Sequence, residues 1–416
     1  MASPATTPQP ASMTGVFRDP NFRKIWAGQF VSIFGDFLAL FGIISLITFR
    51  WHGNPVMVTT VTIFYVLPLA VIGPFAGVLV DHWNVKRVMI ASDLMRAALA
   101  LSLVFMRDVR QISAVLFALS LVSSAFIPAQ SIAVRTLIPQ ENLLAANAML
   151  GQAFYLIRLI SPLAAGTIIS LLSEKATFYI DCVSFGFSAL MISTLAINRP
   201  PRHDADKTVR GLTRDFAEGN KFIFTHPGLS FVFIAMAVAM FMLSSFSPLI
   251  SIFVRDILRS GPMLYGIVSA AVGVGMIVGT TLITKASKGK PSPKLVLYGM
   301  VGLALGTAVL GIAKQAPMAA VSTFLMGLAI AFVLVPAQTM SQRETPPAMV
   351  GRVSSTFMSM ISLAQVLGLL LSGGLAQRLG MRPLFLWSAL TTLLIAVLGA
   401  IWLSRSGAGE SAVPAA

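Results

Sequence analysis

Gly77-Val78-Leu79-Val80-Asp81-His82-Trp83-Asn84-Val85-Lys86-Arg87 joins two apolar runs, one ending at Gly77 and the next beginning at Val88. The connector is too short and too polar to link domains, and its flanks are too apolar for soluble helices. It reads as a cytoplasmic hairpin between two membrane-spanning helices. Asp81 closes the first helix; Lys86 and Arg87 open the second. Asn84 can adopt a left-handed turn conformation, which Asn tolerates better than most non-glycine residues. Bases in so short a loop hold it on the cytoplasmic side.

The same alternation runs outward in both directions. The chain has 416 residues, 56% hydrophobic and only 11% charged, with mean hydropathy +0.83. A soluble domain carries about 25% charged residues, so most of this surface is not in water. Apolar runs of about 20 residues, each long enough to cross a bilayer as a helix, recur twelve times. They lie at 22–49, 56–79, 88–106, 112–134, 142–172, 177–197, 229–254, 263–284, 294–313, 317–340, 350–376 and 382–404. Strand-like alternation is missing, which argues against a β-barrel. The fold class is therefore all-α integral membrane.

The longest polar gap, 198–227, holds Arg199, Arg202, Lys207, Arg210, Arg214 and Lys221. It divides the chain into a Pro/Ser/Thr-rich, disordered tail (1–15), a six-helix bundle (16–197), a cytoplasmic linker (198–227), a second bundle (228–404) and a short C-terminal tail (405–416). With the N-terminus inside, cytoplasmic segments hold more than twice as many bases as the outer loops. Both termini are thus expected in the cytoplasm.

The formal net charge of +15 would suggest nucleic acid on a soluble protein. Here the bases sit in loops between apolar runs, and aromatic-rich basic patches are missing. One cysteine, Cys182, excludes an internal disulfide framework. The four histidines, His52, His82, His203 and His226, have no ligand spacing, so no metal is expected. No phosphate-cradling lysine loop, nucleophile elbow or paired-carboxylate hydrolase pattern occurs. Neither a cofactor nor enzymatic activity is expected.

The two halves look like copies. Pro128-Ala129-Gln130 recurs as Pro336-Ala337-Gln338, and the same offset of 208 relates Arg135 to Arg343, Pro139 to Pro347 and Gly166 to Gly374. Such a repeat implies two parallel six-helix halves with a substrate path between them near the midplane.

The Gly77–Arg87 hairpin resembles the loop between helices 2 and 3 of the major facilitator superfamily of transporters. Gly28-Gln29-x-x-Ser32-x-x-Gly35-Asp36, Pro128-Ala129-Gln130 and Arg158-x-x-Ser161-Pro162-x-x-x-Gly166 follow in the expected order. Together they resemble the bacterial efflux branch that includes macrolide exporters and the enterobactin exporter. The resemblance implies the major facilitator fold, a bacterial inner-membrane location and a chain that works as a monomer. It also implies gating by Gly77, Asp81, Lys86 and Arg87, with Asp81 meeting the N-terminal end of helix 11 near Met349. The Ser161, Pro162 and Gly166 pattern resembles a helix-5 kink associated with export.

Several residues stand out on their own chemistry. Asp36 lies mid-span, where a carboxylate costs about 2.5–3.5 kcal/mol. A carboxyl there could load a proton on one side and release it on the other. Arg158, also mid-span, must find a partner: Asp36, an anionic group of a substrate, or backbone carbonyls. Asp93 and Arg96, three apart on one helix face, read as an internal ion pair. Asp181 and Asp256 read as interfacial. Gln29, Gln130 and Gln338 could line the path or bond between helices. Glycine pairs at four-residue spacing, Gly73/Gly77, Gly275/Gly279 and Gly302/Gly306, are expected to bring helices close.

The expectation is a proton-coupled exporter of small amphipathic molecules (drugs or metabolites) that works by alternating access, with protons, small-molecule cargo and the bilayer as its partners. A lysophospholipid or siderophore carrier of the same fold is the alternative, and a non-transporting membrane scaffold or sensor is the alternative from another class.

Overall fold

A computed structural model describes residues 13–81, 83–197, 209–286, 292–346 and 349–406. Among them there is no strand, and twelve helices are long and apolar enough to cross a membrane. Helix is what lipid demands, because every backbone polar group must be satisfied within its own segment. Hydroxyls inside the spans obey the same constraint. Thr62, Ser113, Ser123 and Ser170, for example, each donate to the carbonyl four residues back.

In chain order the helices are α1 (Met13–Arg18), α2 (Pro20–Ser45), α3 (Pro55–Asp81), α4 (Val85–Ser102), α5 (Val109–Leu137), α6 (Leu143–Leu171), α7 (Glu174–Ser193), α8 (Val209–Thr225), α9 (Pro227–Phe246), α10 (Leu249–Asp256), α11 (Pro262–Ala286), α12 (Pro293–Ile312), α13 (Ala316–Glu344), α14 (Val350–Leu379) and α15 (Met381–Ser406). A π-helical turn, Leu46–Arg50, ends the first span. Eleven sequence-derived spans are each built on one long helix, the third of them continued by a 3-10 turn, Leu103–Phe105. The seventh, expected as one run over 229–254, is two helices separated at Ser247-Pro248. The repeat is visible in α5 and α13: each has 29 residues and an internal proline, Pro128 and Pro336.

The contacts divide the chain into two compact units. One holds the chain up to Ile43, Leu67–Ser161 and the stretch from Leu172 to Ala205. The other holds Ile44–Val66, Pro162–Leu171 and everything from Asp206 on. In the first unit, α4 packs along α5 and α7. A core of Phe22, Ile25, Val80, Met89, Phe126 and Val134 closes it. In the second, α13 packs between α11 and α12, and α9 lies along α14.

Glycine sets the closest approaches of α13. A Cβ on Gly275 would fall 2.0 Å from the Phe324 carbonyl oxygen, and one on Gly327 would fall 1.9 Å from that of Val272. Gly279 meets Leu328 and Ala331, while Gly302 and Gly306 meet Ala329 and Met326. Gly73 does not follow the expectation among the described residues, where the one heavy atom near its missing Cβ belongs to Leu69, on its own helix. The linker contains α8, which docks on α14 by a Glu218–Arg352 ion pair and a close fit of Gly219 against Arg352 and Thr356. Residues 198–208 lie outside the described residues.

Candidate functional site: a charge cluster inside the first unit

The turn before α4 is not left-handed. Asn84 has φ −68° and ψ 110°, so it is an extended N-cap, and its Oδ1 accepts the Arg87 N–H at 3.1 Å. Capping explains it: Asn is among the best N-cap residues, and α4 needs its first N–H groups satisfied. Lys86 is half-buried and Arg87 exposed, both in the first turn of α4. Cations there oppose the helix dipole by about 0.3–1 kcal/mol each, so helix stability does not account for them. Gly77 and Asp81 lie in α3, but their side chains, and all of His82, fall outside what is described. The expected approach of Asp81 to Met349 falls there too.

Four charged residues of the spans, Asp36, Asp93, Arg96 and Asp181, lie on α2, α4 and α7. Asp93 is fully buried and pairs with Arg96, 4% exposed, one turn on. The Arg96 guanidinium lies between two rings, 4.1 Å from the centroid of Phe126 on α5 and 4.4 Å from that of Phe185 on α7. Both faces are thereby covered, and carboxylates are left its edge. Asp181, fully buried on α7, accepts the Ser184 hydroxyl at 3.4 Å on Oδ1, and its Oδ2 has no partner among the described residues. Asp36, half-buried on α2, feels the charges of Arg96 and Asp93. Asp181 in turn feels Asp36 and Arg96. Ser188 lies beside Asp93. The cluster therefore holds three carboxyl groups and one guanidinium.

The close packing of α2 on α7 follows from sequence. Gly28, Gly35 and Gly42, seven residues apart, face Ser188, Ser184 and Thr177. A Cβ on Gly35 would sit 2.2 Å from the Ser184 Oγ and 2.8 Å from Asp181 Oδ1. The glycine next to Asp36 is what lets Asp181 come so near.

Arg158 is not part of the cluster. It is half-buried on α6, one turn after Tyr155. No ion pair joins it to Asp36 among the described residues; the positive charge that acts on Asp36 is that of Arg96, which is itself paired with Asp93. Gln29 is buried on α2, with its carbonyl oxygen near the Ser32 hydroxyl, while Gln130 and Gln338 are half-buried at matching places on α5 and α13. The Ser161, Pro162 and Gly166 motif lies inside an unbroken α6, with the Ser161 hydroxyl buried and unpartnered. Within the second unit, a Cβ on Gly166 would lie 3.0 Å from the Pro262 carbonyl oxygen, and one on Gly266 would lie 2.5 Å from that of Pro162. The motif is thus a reciprocal Pro-x-x-x-Gly contact between α6 and α11.

Asp181 falls near the start of a span, which reads as interfacial, yet it is fully buried; its position within an apolar helix is the signal for that. Asp256 also reads as interfacial, and sequence alone gives no sign of its contact. In the second unit Asp256 grips the Arg255 guanidinium through both oxygens, at 2.6 and 3.0 Å. Arg255 Nη1 donates to the carbonyls of Thr48 at 2.7 Å and Gly53 at 2.8 Å. The hydroxyls of Thr48 and Ser251 are hydrogen-bonded at 2.9 Å. An apolar crevice of about 420 Å³ also lies between α2 and α7, lined by Val31, Phe34, Tyr179, Val183 and Phe187, with Ser184 at its wall.

Comparison with known proteins places the fold. Residues 11–413 match the family described as transmembrane secretion effector. The chain is 28% identical to an uncharacterised MFS-type transporter, YfiS, of Bacillus subtilis (86% of this chain, 88% of that one). It is 26% identical to macrolide efflux protein A of Streptococcus pyogenes (91% and 94%) and 26% identical to the multidrug efflux pump Tap of Mycolicibacterium fortuitum (87% and 92%). Its fold resembles a bacterial homologue of the human lysosomal transporter Spinster, with TM-score 0.73 at 11% identity over 95% and 100% of the two chains. It also resembles a peptide transporter, POT, with TM-score 0.74 at 14% identity over 94% and 95%. With twelve helices as two parallel six-helix repeats and a family match over nearly its whole length, the chain belongs to the transmembrane secretion effectors of the major facilitator superfamily.

Proposed function

We propose that this multi-pass membrane transporter exports small amphipathic molecules in exchange for protons, by alternating access. The observation that carries the reading is the cluster of Asp36, Asp93, Asp181 and Arg96. A half-buried carboxyl beside an arginine and two further acids can exist in two charge states, and switching between them is what proton coupling requires. Relatives named for macrolide and multidrug efflux support the direction and cargo class. The contacts around Arg255 support alternating access: hydroxyls, carbonyls and a guanidinium can be re-solvated when a seam opens. Gly77, Asp81, Lys86 and Arg87 would gate the opposite, cytoplasmic end.

The test is purified protein in liposomes enclosing a pH-sensitive dye, challenged with macrolides, cationic drugs, siderophores and lysolipids. Substrate-dependent proton flux is expected, falling to background in Asp36→Asn with protein abundance unchanged. Full proton-driven transport by that variant would overturn the role of Asp36. The crevice between α2 and α7 favours a second reading, a lysophospholipid carrier whose acyl chain lies against Phe34 and Tyr179. Lysolipid movement without proton flux would select it.

A further inference from the structure

We infer that Asp181 carries a second exchangeable proton, so that the cluster takes up and releases two protons per cycle rather than one at Asp36. The inference rests on the proton-coupled reading above and adds a residue and a stoichiometry to it.

Charge counting inside the first unit leads there. The charged and titratable groups there are Asp36 on α2, Asp93 and Arg96 on α4, and Asp181 with the adjacent Cys182 on α7, and Asp181 lies against Gly35 of α2. Phe126 of α5 and Phe185 of α7 occupy the two faces of Arg96. The one guanidinium is held by Asp93, three residues before it on the same helix. With all three acids ionised, the cluster would carry two negative charges that nothing compensates, in an interior where even one is costly. Asp181 is fully buried, its Oδ2 has no partner among the described residues, and its Oδ1 would lie 2.8 Å from a Cβ on Gly35, the residue before Asp36. The one hydrogen bond its carboxyl accepts among the described residues, from Ser184 at 3.4 Å, is too long to stand in for a cation. Two protons restore neutrality, one on Asp36 and one on Asp181. Each step is a simple proton transfer: a carboxylate oxygen gains an O–H bond from water on one side and later returns that proton to water on the other.

The first test needs no cargo. Infrared spectra of the purified protein in lipid report the C=O stretch of neutral carboxyl groups, which ionised carboxylates lack. The wild type should show this signal, shifting in heavy water. Asp181→Asn, nearly the same size, should remove one distinguishable part of it, and Asp36→Asn another. An unchanged signal in Asp181→Asn, or one that does not shift in heavy water, would overturn the inference. The second test counts protons against labelled macrolide in liposomes with the membrane potential clamped. The ratio should fall twofold in Asp181→Asn while transport continues. An unchanged ratio overturns the second proton and leaves coupling through Asp36 standing. Absence of macrolide-dependent proton flux in the wild type, with the infrared signals as expected, overturns the coupled reading and leaves two protonated acids of structural use.

Discussion

Arg96 is the residue on which the cluster turns. Its edge meets Asp93, its faces meet Phe126 and Phe185, and its charge reaches Asp36 and Asp181. Removing one partner of a buried ion pair strands the other, at a cost of about 3–5 kcal/mol. Arg96→Gln is therefore expected to lower the unfolding temperature in detergent markedly. Asp93→Asn/Arg96→Gln should recover much of that loss, because no charge is then left alone. A double variant as unstable as Arg96→Gln would show that the rings, not the ion pair, hold this arginine. Gly35→Ala offers an independent check, since its methyl would meet the Ser184 hydroxyl and force α2 off α7. Much of this was legible in the sequence. Asp36, Asp93 and Arg96 stand out as charges in apolar runs, and three-residue spacing pairs the last two. That Asp36 answers to Arg96 and not to Arg158 was not legible. Both arginines are mid-span, and which helix faces which is decided by packing between distant segments, here by glycines spaced along α2.

At the scale of elements, α10 turns a break in a span into a clamp. The seventh apolar run reads as continuous because both of its parts are hydrophobic. Yet proline has no N–H to donate and its ring crowds the preceding turn, so Pro248 carried the signal of a break, even though Ser247 keeps helical dihedrals of φ −49° and ψ −52°. The break ends with Arg255 donating to two carbonyls around the turn after α2. In that turn His52 holds a left-handed φ of 52°, a conformation sparsely populated by non-glycine residues and one that surrounding contacts must maintain. Charge-assisted hydrogen bonds contribute about 1.5 kcal/mol or more each. Losing them should shift a closed-to-open equilibrium at this end by about tenfold or more. In a Cys182→Ser background, Ser251→Cys is buried behind the clamp and should react slowly with an impermeant maleimide. Adding Arg255→Ala should speed that reaction about tenfold; an unchanged rate would mean that α6 and α11, joined at Gly166 and Gly266, hold this end without Arg255.

For the whole molecule, the sequence was most informative because lipid leaves so few choices. A span must be helical, about 20 residues long and apolar, and twelve such stretches are visible without any tertiary knowledge. The repeat offset of 208 then pairs the halves. The compact units were not legible. The second takes in Ile44–Val66 and Pro162–Leu171 from the first half, and contacts of that kind leave no mark on hydropathy. Orientation follows from the same physics as the spans. An even number of crossings puts residues 13 and 406 on one side of the membrane, and the bases of the polar gap between 198 and 227 lie on that side too. Lys and Arg near span ends resist translocation, so this side is expected to be the cytoplasm. A fluorescent protein fused after α15 should then fluoresce, and alkaline phosphatase inserted at Arg107-Asp108, between α4 and α5, should be active. The inverse pattern would overturn the orientation. The bias leans on Arg199, Arg202, Lys207, Arg210, Arg214 and Lys221, since without them the excess of bases on that side is small. Replacing all six with Gln should therefore yield a mixed population in which both reporters are partly active. A single orientation in that variant would place the determinant in the short hairpins, with Lys86 and Arg87 first among them.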